Sequence, residues 1–214
     1  MISTTSSSGA GSVPLTSSLL AISDRASLRI SMADWLSALG KAGIGAVQIR
    51  EKDLDDRDLY DLARLARTLL PPTTRLLVNG RLDVALAAGA DGVHLPADGV
   101  PVGALRERFG EGVLIGRSTH TVEEVERARD EGADYVTFGP VFATPGKGAP
   151  VGLEGLARAA AAGVPVFALG GVTLERLGSL AGVGVAGVAA IRLFQSIQDL
   201  MEVARTAHEA FGRA

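Results

Sequence analysis

Residues 114–148 read LIGRSTHTVEEVERARDEGADYVTFGPVFATPGKG, and this stretch decides the fold. LIGRS predicts a short buried strand. TVEEVERARDEG has the pattern of an amphipathic helix, with Thr121 placed to cap its N-terminus, and DYVTFGPVF predicts the next strand. A strand, a helix and a second strand in succession form one unit of a parallel α/β sheet.

The same alternation of strand and helix continues on both sides of this stretch. Several predicted strands are continuous apolar runs, as strands covered on both faces of a parallel sheet require. We therefore predict a single-domain α/β fold, a closed (β/α)8 TIM barrel. The alternative is an open doubly wound sheet, although the G-x-G-x-x-G sequence typical of its first turn is absent. The predicted strands cover residues 19–22, 46–50, 75–79, 92–95, 114–118, 134–142, 164–169 and 185–191, and the predicted helices cover residues 32–41, 54–70, 82–88, 102–109, 121–132, 153–162, 174–181 and 194–211.

A short motif recurs ahead of four of these strands. GIGAVQIR, GADGVHL, GADYVTFG and GVAGVAAI each lead from small residues directly into an apolar strand. We interpret the recurrence as one helix-to-strand turn used repeatedly, not as the unit of a solenoid.

Composition limits the classes of protein that fit. The chain has 214 residues, of which 47% are hydrophobic and 21% charged, enough for one sizeable core. A net charge of −3 does not favour nucleic acid as a partner. No apolar run approaches the roughly 20 residues that span a bilayer. The absence of cysteine excludes disulfides and thiolate metal sites and fits a cytoplasmic location.

The N-terminus differs from the rest of the chain. Residues 1–14, MISTTSSSGAGSVP, are rich in Ser, Thr and Gly and contain no charged side chain. They lack the basic start and the apolar run of a secretory signal. We predict a disordered Ser/Gly-rich leader over residues 1–17 and a barrel domain over residues 18–214.

Polar residues at the end of the second predicted strand suggest an anion site. Gln48, Arg50 and Lys52 are spaced by two residues, so alternation directs them to the same side. Two cations beside an amide suit a carboxylate or a phosphate, with Arg50 able to bind it in bidentate fashion. The alternative is a salt bridge with Glu51 or Asp53 at the rim of the barrel.

Two further strand ends carry residues that could act on a substrate. Asn79 ends the third strand and could orient a ring nitrogen or a carboxylate; the alternative is a turn residue ahead of Gly80. His120 follows Ser118 just past the fifth strand, and an imidazole exchanges protons near neutral pH. We predict that His120 is a general acid/base; the alternative is a second cap or loop residue.

The two other histidines have less reactive predicted places. His94 lies within an apolar strand, where a histidine is usually a core residue with its hydrogen bonds satisfied. His208 lies in the last helix, on the predicted surface.

The last three strand ends suggest phosphate binding. Thr144, Gly146, Lys147 and Gly148 form a polar loop after the sixth strand that could close over a phosphate; the alternative is a solvated lysine. The ends of the seventh and eighth strands are where barrels bind phosphate on backbone N–H groups; a tight turn alone is the alternative. The predicted phosphate-binding residues are Gly170, Gly171, Ile191 and Arg192. Because no HxH, DxD or clustered carboxylates occur at the strand ends, we predict no metal site.

Seven motifs carry a family resemblance. In chain order they are AISD, VQIREK, VNGR, GADGVHL, IGRSTHT, ADYVTFGPVFATPGK and ALGGV, from about residue 19 to the last helix. With them the chain resembles the thiamine phosphate synthase/TenI superfamily. The resemblance implies a (β/α)8 barrel of thiamine biosynthesis, small phosphorylated substrates and a possible homodimer.

The synthase branch of this superfamily joins a pyrimidine diphosphate to a thiazole phosphate, with Mg²⁺ held by two aspartates. The resemblance places these two aspartates at residues 80 and 99, and this chain has glycine at both positions. Asp98 lies one residue before the second position. The synthase loop Thr-x-Thr-Lys is Thr144-Pro145-Gly146-Lys147 here, without its second threonine. Arg192 replaces a small hydroxyl residue common in both branches.

The TenI-type branch is similar in Asn-Gly-Arg, in Leu-Pro after the fourth strand and in Gly-Arg-Ser-x-His. It isomerises thiazole carboxylate phosphate to its aromatic tautomer by proton transfer, without metal. We therefore predict a thiazole tautomerase with no cofactor and His120 as its catalytic residue. The predicted substrate-binding residues are Gln48, Arg50, Lys52, Asn79, Ser118, Thr144 and Lys147.

Two alternatives to the tautomerase are kept. One is a thiamine phosphate synthase, which would require Mg²⁺ from Asp98 or from its substrate. The other is a non-catalytic regulator that binds a phosphorylated ligand.

Overall fold

The computed structural model describes residues 15–212 and shows a closed barrel. Eight parallel strands pair in chain order, and the last pairs with the first at Leu19↔Val188. This pairing closes the sheet, so the (β/α)8 prediction is confirmed and the open-sheet alternative is wrong. The strands are β1 (Leu19–Ile22), β2 (Ala46–Ile49), β3 (Arg75–Asn79), β4 (Gly92–Leu95), β5 (Leu114–Thr119), β6 (Tyr135–Phe138), β7 (Val166–Leu169) and β8 (Gly187–Ala190).

A helix follows each strand and covers the outside of the barrel. Within residues 15–212, no helix is both long and apolar enough to cross a membrane. The helices are α1 (Met32–Lys41), α2 (Asp56–Leu69), α3 (Leu82–Ala88), α4 (Val102–Phe109), α5 (Val122–Asp130), α6 (Gly152–Ala160), α7 (Leu177–Ala181) and α8 (Leu200–Phe211).

The strand and helix boundaries differ from prediction mainly in the second half of the chain. β6 ends at Phe138, where Gly139-Pro140 follows, and β7 begins after Pro165, because proline has no N–H for the ladder. The predicted helix over 194–211 starts only at Leu200, since a 3-10 turn over Arg192–Phe194 comes first. α5 agrees closely, with Thr121 and Glu124 forming a capping box.

Alternation divides each strand between two cores. One face packs under the helices, where the large buried side chains include Trp35 and Phe138. The other face fills the barrel, where Leu20, Leu114 and Phe167 form an apolar layer.

The segment that precedes β1 contributes to the barrel interior. Leu15 is 7% exposed and joins the interior cluster, and Ser17 is also buried, with its hydroxyl donating to the Leu19 carbonyl at 3.0 Å. Packing therefore starts ahead of the predicted domain boundary at residue 18. The rest of the predicted leader, residues 1–14, lies outside the described residues.

Two of the recurring turns share one hydrogen-bonding arrangement. In the GAD turn before β4, the Asp91 carboxylate accepts from the backbone N–H of Leu76 at 2.8 Å. In the GAD turn before β6, Asp134 accepts from the backbone N–H of Ile115 at 2.6 Å. Each aspartate thus ties its turn to the preceding strand, which accounts for the Asp shared by these two of the four motifs.

Candidate active site

The barrel interior becomes polar toward the carboxyl ends of the strands. Residues further toward the carboxyl ends on the same face occupy the next interior layer: they lie two positions beyond the apolar layer on β2, β3 and β6, and four positions beyond Leu114 on β5, where Gly116 comes between. On neighbouring strands β2 to β6 this layer is hydrophilic, whereas Ile22 and Leu169 on β1 and β7 keep it apolar. We call the polar layer the mouth; its members are Gln48, Asn79, His94, Ser118 and Thr137.

Gln48 and Asn79, both predicted site residues, are brought together at the mouth. The Gln48 amide donates from Nε2 to Asn79 Oδ1 at 3.0 Å. Gln48 is 1% exposed, and its Oε1 is buried with no hydrogen-bond partner in the described part of the chain. A buried acceptor without a donor is unfavourable, so a ligand with an N–H or O–H group would satisfy it.

His94 is a buried core residue, as predicted, and it contacts the predicted site residue Ser118. Its Nδ1 lies 2.9 Å from the Tyr135 hydroxyl and its Nε2 lies 2.9 Å from Ser118 Oγ. Burial, and then the positive charges of Arg50 and Arg117, lower the pKa of His94 to about 3. The imidazole is therefore neutral at physiological pH.

The end of β2 is held by a carboxylate that was not among the predicted site residues. Glu51 is buried; it accepts from Ser23 Oγ at 2.5 Å and from the backbone N–H of Arg25 at 3.2 Å. Ser23 Oγ in turn accepts from the backbone N–H of Arg50 at 2.8 Å. Glu51 thereby fixes the backbone at Arg50.

The alternative predicted for Arg50 and Lys52, a salt bridge with Glu51 or Asp53, is not formed. Glu51 faces Ser23 and Arg25, and Asp53 pairs with Arg25. Within residues 15–212, neither Arg50 nor Lys52 has a carboxylate partner. Arg50 is half-buried and acts electrostatically on His94, so it lies near the mouth, whereas Lys52 is exposed.

The loop after β6 packs on the two glycines after β7. A methyl group on Gly170 would lie 2.7 Å from Pro140, and one on Gly171 would lie 2.7 Å from Phe142 Cβ. The same group on Gly170 would lie 3.3 Å from Thr144 Oγ1, so two predicted site residues, Thr144 and Gly170, are adjacent. Only glycine fits this contact at the two positions.

Arg176 contacts both the loop after β6 and the glycines after β7. Its guanidinium donates to the Gly171 carbonyl at 2.6 Å and stands 4.2 Å from the ring centroid of Phe142. It therefore joins the loop after β6 to the end of β7.

The remaining predicted phosphate-binding residues lie at the rim. Ile191 follows β8, which pairs with β7, and Arg192 is exposed at the start of its 3-10 turn. Lys147 is exposed in the loop after β6, with its backbone N–H bonded to the Thr144 carbonyl at 3.1 Å. Neither cation has a carboxylate partner in the described chain.

His120 stands apart from the mouth network. Its Nδ1 donates to the Gly139 carbonyl at 2.5 Å, and its backbone N–H donates to Glu124. It lines a cavity of about 240 Å³ with residues of α5 and α6, Glu123 and Arg158 among them. Within residues 15–212, no hydrogen bond links His120 to Gln48, His94 or Ser118.

The mouth does not fit a metal ion held by the protein. Gly80 has a φ of +69°, which is strained for aspartate, and a methyl group on Gly99 would lie 3.0 Å from Pro96 Cδ. Asp98 is exposed. The described residues contain no group of three or more His, Asp or Glu side chains that could hold a metal.

Several residues that shape the site were not predicted. Tyr135 and Thr137 follow from alternation along β6, which the sequence could have shown. Arg117 donates to the carbonyls of Ala97 and Val100 at 2.8 Å and so fixes the loop after β4, a contact without a sequence signal.

Comparison with known proteins identifies relatives over most of the chain. The family model described as thiamine monophosphate synthase matches residues 19–194. A putative thiamine-phosphate synthase of Geobacter sulfurreducens is 46% identical over 168 residues, which are 76% of this chain and 79% of that protein. The thiamine-phosphate synthase of a Roseiflexus species is 38% identical over 198 residues, 89% of this chain and 83% of that protein. The solved thiamine phosphate pyrophosphorylase of Pyrococcus furiosus superposes with a TM-score of 0.81 at 29% identity, covering 92% of this chain and 96% of that one.

These relatives overturn the predicted tautomerase. That prediction rested on glycine at residues 80 and 99 and on His120, yet relatives at 38–46% identity are named thiamine-phosphate synthases. The absence of the two aspartates shows only that these metal ligands are missing beside a diphosphate. It does not by itself indicate a different reaction. His120, moreover, is not part of the mouth network.

The match includes every strand of the barrel and the mouth residues on β2 to β6. The chain belongs to the thiamine monophosphate synthase family of thiamine-biosynthesis enzymes.

Proposed function

We propose that this protein is a thiamine-phosphate synthase, which joins hydroxymethylpyrimidine diphosphate to thiazole phosphate. The observation that carries the proposal is the 38–46% identity to synthases over most of both chains. Four cations at the ends of the strands, Arg50, Lys52, Lys147 and Arg192, support it, because two phosphorylated substrates bring several negative charges to one site.

The reaction replaces one bond by another at the pyrimidine methylene carbon. The C–O bond to the diphosphate breaks, and the diphosphate leaves with the electron pair. The thiazole nitrogen supplies the pair for the new C–N bond, so no proton has to be transferred. What the protein must provide is stabilisation of the negative charge that develops on the leaving group.

In this proposal Arg50, Lys52 and Lys147 face the diphosphate, because none of them is neutralised by a described carboxylate. Gly170, Gly171 and Arg192 hold the phosphate of the thiazole. Gln48 Oε1 accepts from an N–H group of the pyrimidine, which satisfies the buried oxygen. The catalytic role predicted for His120 stays a prediction, as do a cytoplasmic location and a homodimer.

One observation favours a second candidate, a non-catalytic protein that binds phosphorylated ligands. The positive φ at Gly80 and the 3.0 Å approach of Pro96 to a side chain at residue 99 both disfavour carboxylates that would hold a metal beside a diphosphate. A mouth that binds substrates without activating the leaving group would have this property.

The test is formation of thiamine phosphate from the two substrates, measured by chromatography with Mg²⁺ and with a chelator. We expect the wild type to form thiamine phosphate in at least one of the two conditions. The rate of product formation should fall at least tenfold in Arg50→Met and should not fall in Arg57→Met, at an exposed arginine of α2. Binding of both substrates without product in either condition would contradict the synthase and support the binder.

A further inference from the structure

A buried chain of hydrogen bonds leads from the barrel interior to the mouth. It begins at the Tyr135 hydroxyl, passes through the His94 ring and ends at Ser118 Oγ. Tyr135 is 0% exposed and belongs to the apolar layer, whereas His94, 2% exposed, and the half-buried Ser118 belong to the mouth. The positions of the hydrogens in this chain decide what Ser118 offers to a substrate.

The Tyr135 end fixes the direction. In the described chain, the hydroxyl has no hydrogen-bond partner except His94 Nδ1. If Nδ1 carried the hydrogen, the hydroxyl could only accept, and its own hydrogen would be buried without an acceptor. That loss is avoided when Tyr135 donates to Nδ1.

The His94 ring passes this direction on. A neutral imidazole that accepts at Nδ1 carries its hydrogen on Nε2. Nε2 then donates to Ser118 Oγ at 2.9 Å, and Thr137 Oγ1, at 3.5 Å, is too far away to compete. One lone pair of Ser118 Oγ is thus taken by the Nε2 hydrogen, and because the hydroxyl hydrogen cannot point at that donor, it is left for the mouth.

We propose that Tyr135 and His94 are positioning residues that fix Ser118 as a hydrogen-bond donor to the substrate. The substrate atom that faces Ser118 is then an acceptor, such as a ring nitrogen or a phosphate oxygen. Gln48 Oε1 requires the opposite, a hydrogen-bond donor. The mouth therefore distinguishes ligands by whether they place an acceptor at Ser118 and a donor at Gln48.

The packing around Tyr135 supports this role. A methyl group on Gly116 would lie 2.1 Å from the Tyr135 ring, so the space for the tyrosine exists only because residue 116 is glycine. The ring also packs edge-on against Phe167, with centroids 5.5 Å apart. The hydroxyl is therefore held in one place under His94.

The first experiment determines the His94 tautomer by ¹⁵N NMR of the protein labelled at histidine. The chain has 3 histidines, so the variant His120→Asn/His208→Gln leaves the His94 signals alone. We expect a hydrogen on Nε2 and none on Nδ1 at pH 7. A hydrogen on Nδ1, or a mixture of tautomers, overturns the proposal. We call the hydrogen-bond chain Tyr135–His94–Ser118 the relay. The tautomer does not depend on turnover, so this result separates failure of the relay from failure of the synthase function.

The second experiment, which rests on the proposed function, measures how Tyr135 acts through Ser118. We expect kcat/KM for thiamine phosphate formation to fall about tenfold in both Tyr135→Phe and Ser118→Ala, as for one lost hydrogen bond. The double variant is expected to be no slower than Ser118→Ala. Additive losses contradict the relay.

Two controls separate the relay from damage to the fold. Tyr60→Phe removes the hydroxyl of the other tyrosine, on α2, and should leave kcat/KM unchanged. Ser118→Ala should keep the Nε2–H tautomer, because Tyr135 still donates to Nδ1. If Tyr135→Phe does not fold, the tautomer in Ser118→Ala decides, and a change there overturns the proposal.

Discussion

At the scale of single residues, His94 couples folding to pH. Its pKa is lowered to about 3 by burial and by the charges of Arg50 and Arg117, whereas a histidine in an unfolded chain titrates near 6.5. Between these values the unfolded chain takes up a proton that the folded protein does not. The contribution of His94 to stability is therefore complete above about pH 6.5 and is lost as the pH falls toward 3.

We expect the free energy of unfolding to decrease by about 2 kcal/mol between pH 7 and pH 5 because of His94 alone. Urea unfolding at the two pH values measures this change. His208→Gln, at an exposed position of α8, should keep the dependence, and His94→Gln should lose it. An equal change with pH in wild type and His94→Gln would contradict the assignment.

The place of His94 could be predicted from sequence, but its partners could not. An apolar strand around a histidine indicates burial wherever the strand lies. The contact with Tyr135 depends on residues 41 positions apart meeting across the barrel, and on the glycine at residue 116 that makes room for the ring. Neither fact is contained in local periodicity.

At the scale of elements, the GAD turns show how strands and helices are fastened at the end opposite the mouth. Arg106 of α4 pairs with Asp134 and donates to the carbonyls of Gly132, Gly110 and Val113 at 2.7–2.9 Å. The two charged side chains are 10% and 13% exposed, so loss of Arg106 removes a largely buried ion pair together with its hydrogen bonds to three backbone carbonyls.

We expect Arg106→Met to lower the free energy of unfolding by about 3 kcal/mol. Arg57→Met is the matched control, because Arg57 pairs with Asp61 on the surface of α2 with 80% of its side chain exposed. Its loss should cost less than about 1 kcal/mol. Urea unfolding compares the two variants, and similar losses would mean that the GAD turn does not depend on Arg106.

The existence and order of the elements could be predicted because apolar periodicity reports burial directly. The ends of β6, β7 and α8 could not be predicted as well, because proline and a 3-10 turn stop elements within apolar runs. In the site, strand-end position indicated Gln48, Asn79 and Ser118, and the structure places all three in the mouth; their binding of substrate stays a prediction. Strand-end position did not indicate Glu51, because the neighbouring Arg50 and Lys52 suggested a salt bridge at the rim, whereas the Glu51 carboxylate turns inward and accepts from Ser23.

At the scale of the whole molecule, the interior is apolar at one end and polar at the other. Leu15 completes the apolar layer from outside the strands, next to Leu20 and Leu114. The polar mouth has the buried Gln48 oxygen without a partner. The apolar layer thus contributes to stability at one end of the barrel, while ligand binding is proposed for the other end.

We expect Leu15→Ala to lower the free energy of unfolding by about 2–3 kcal/mol, as for a buried leucine. Leu86→Ala, at a position 46% exposed on α3, should cost less than about 1 kcal/mol. Urea unfolding of both variants measures the difference. A negligible effect at Leu15 would show that the segment before β1 does not contribute to the core.

The loop after β4 has a consequence for how this barrel could evolve. Arg117 holds the carbonyls of Ala97 and Val100, and Pro96 closes on Gly99. The Cβ of an aspartate at residue 99 would lie 3.0 Å from Pro96 Cδ, so the proline would have to shift by a few tenths of an ångström to admit it. Acquisition of a carboxylate at this position is therefore coupled to an adjustment of the loop that Arg117 holds.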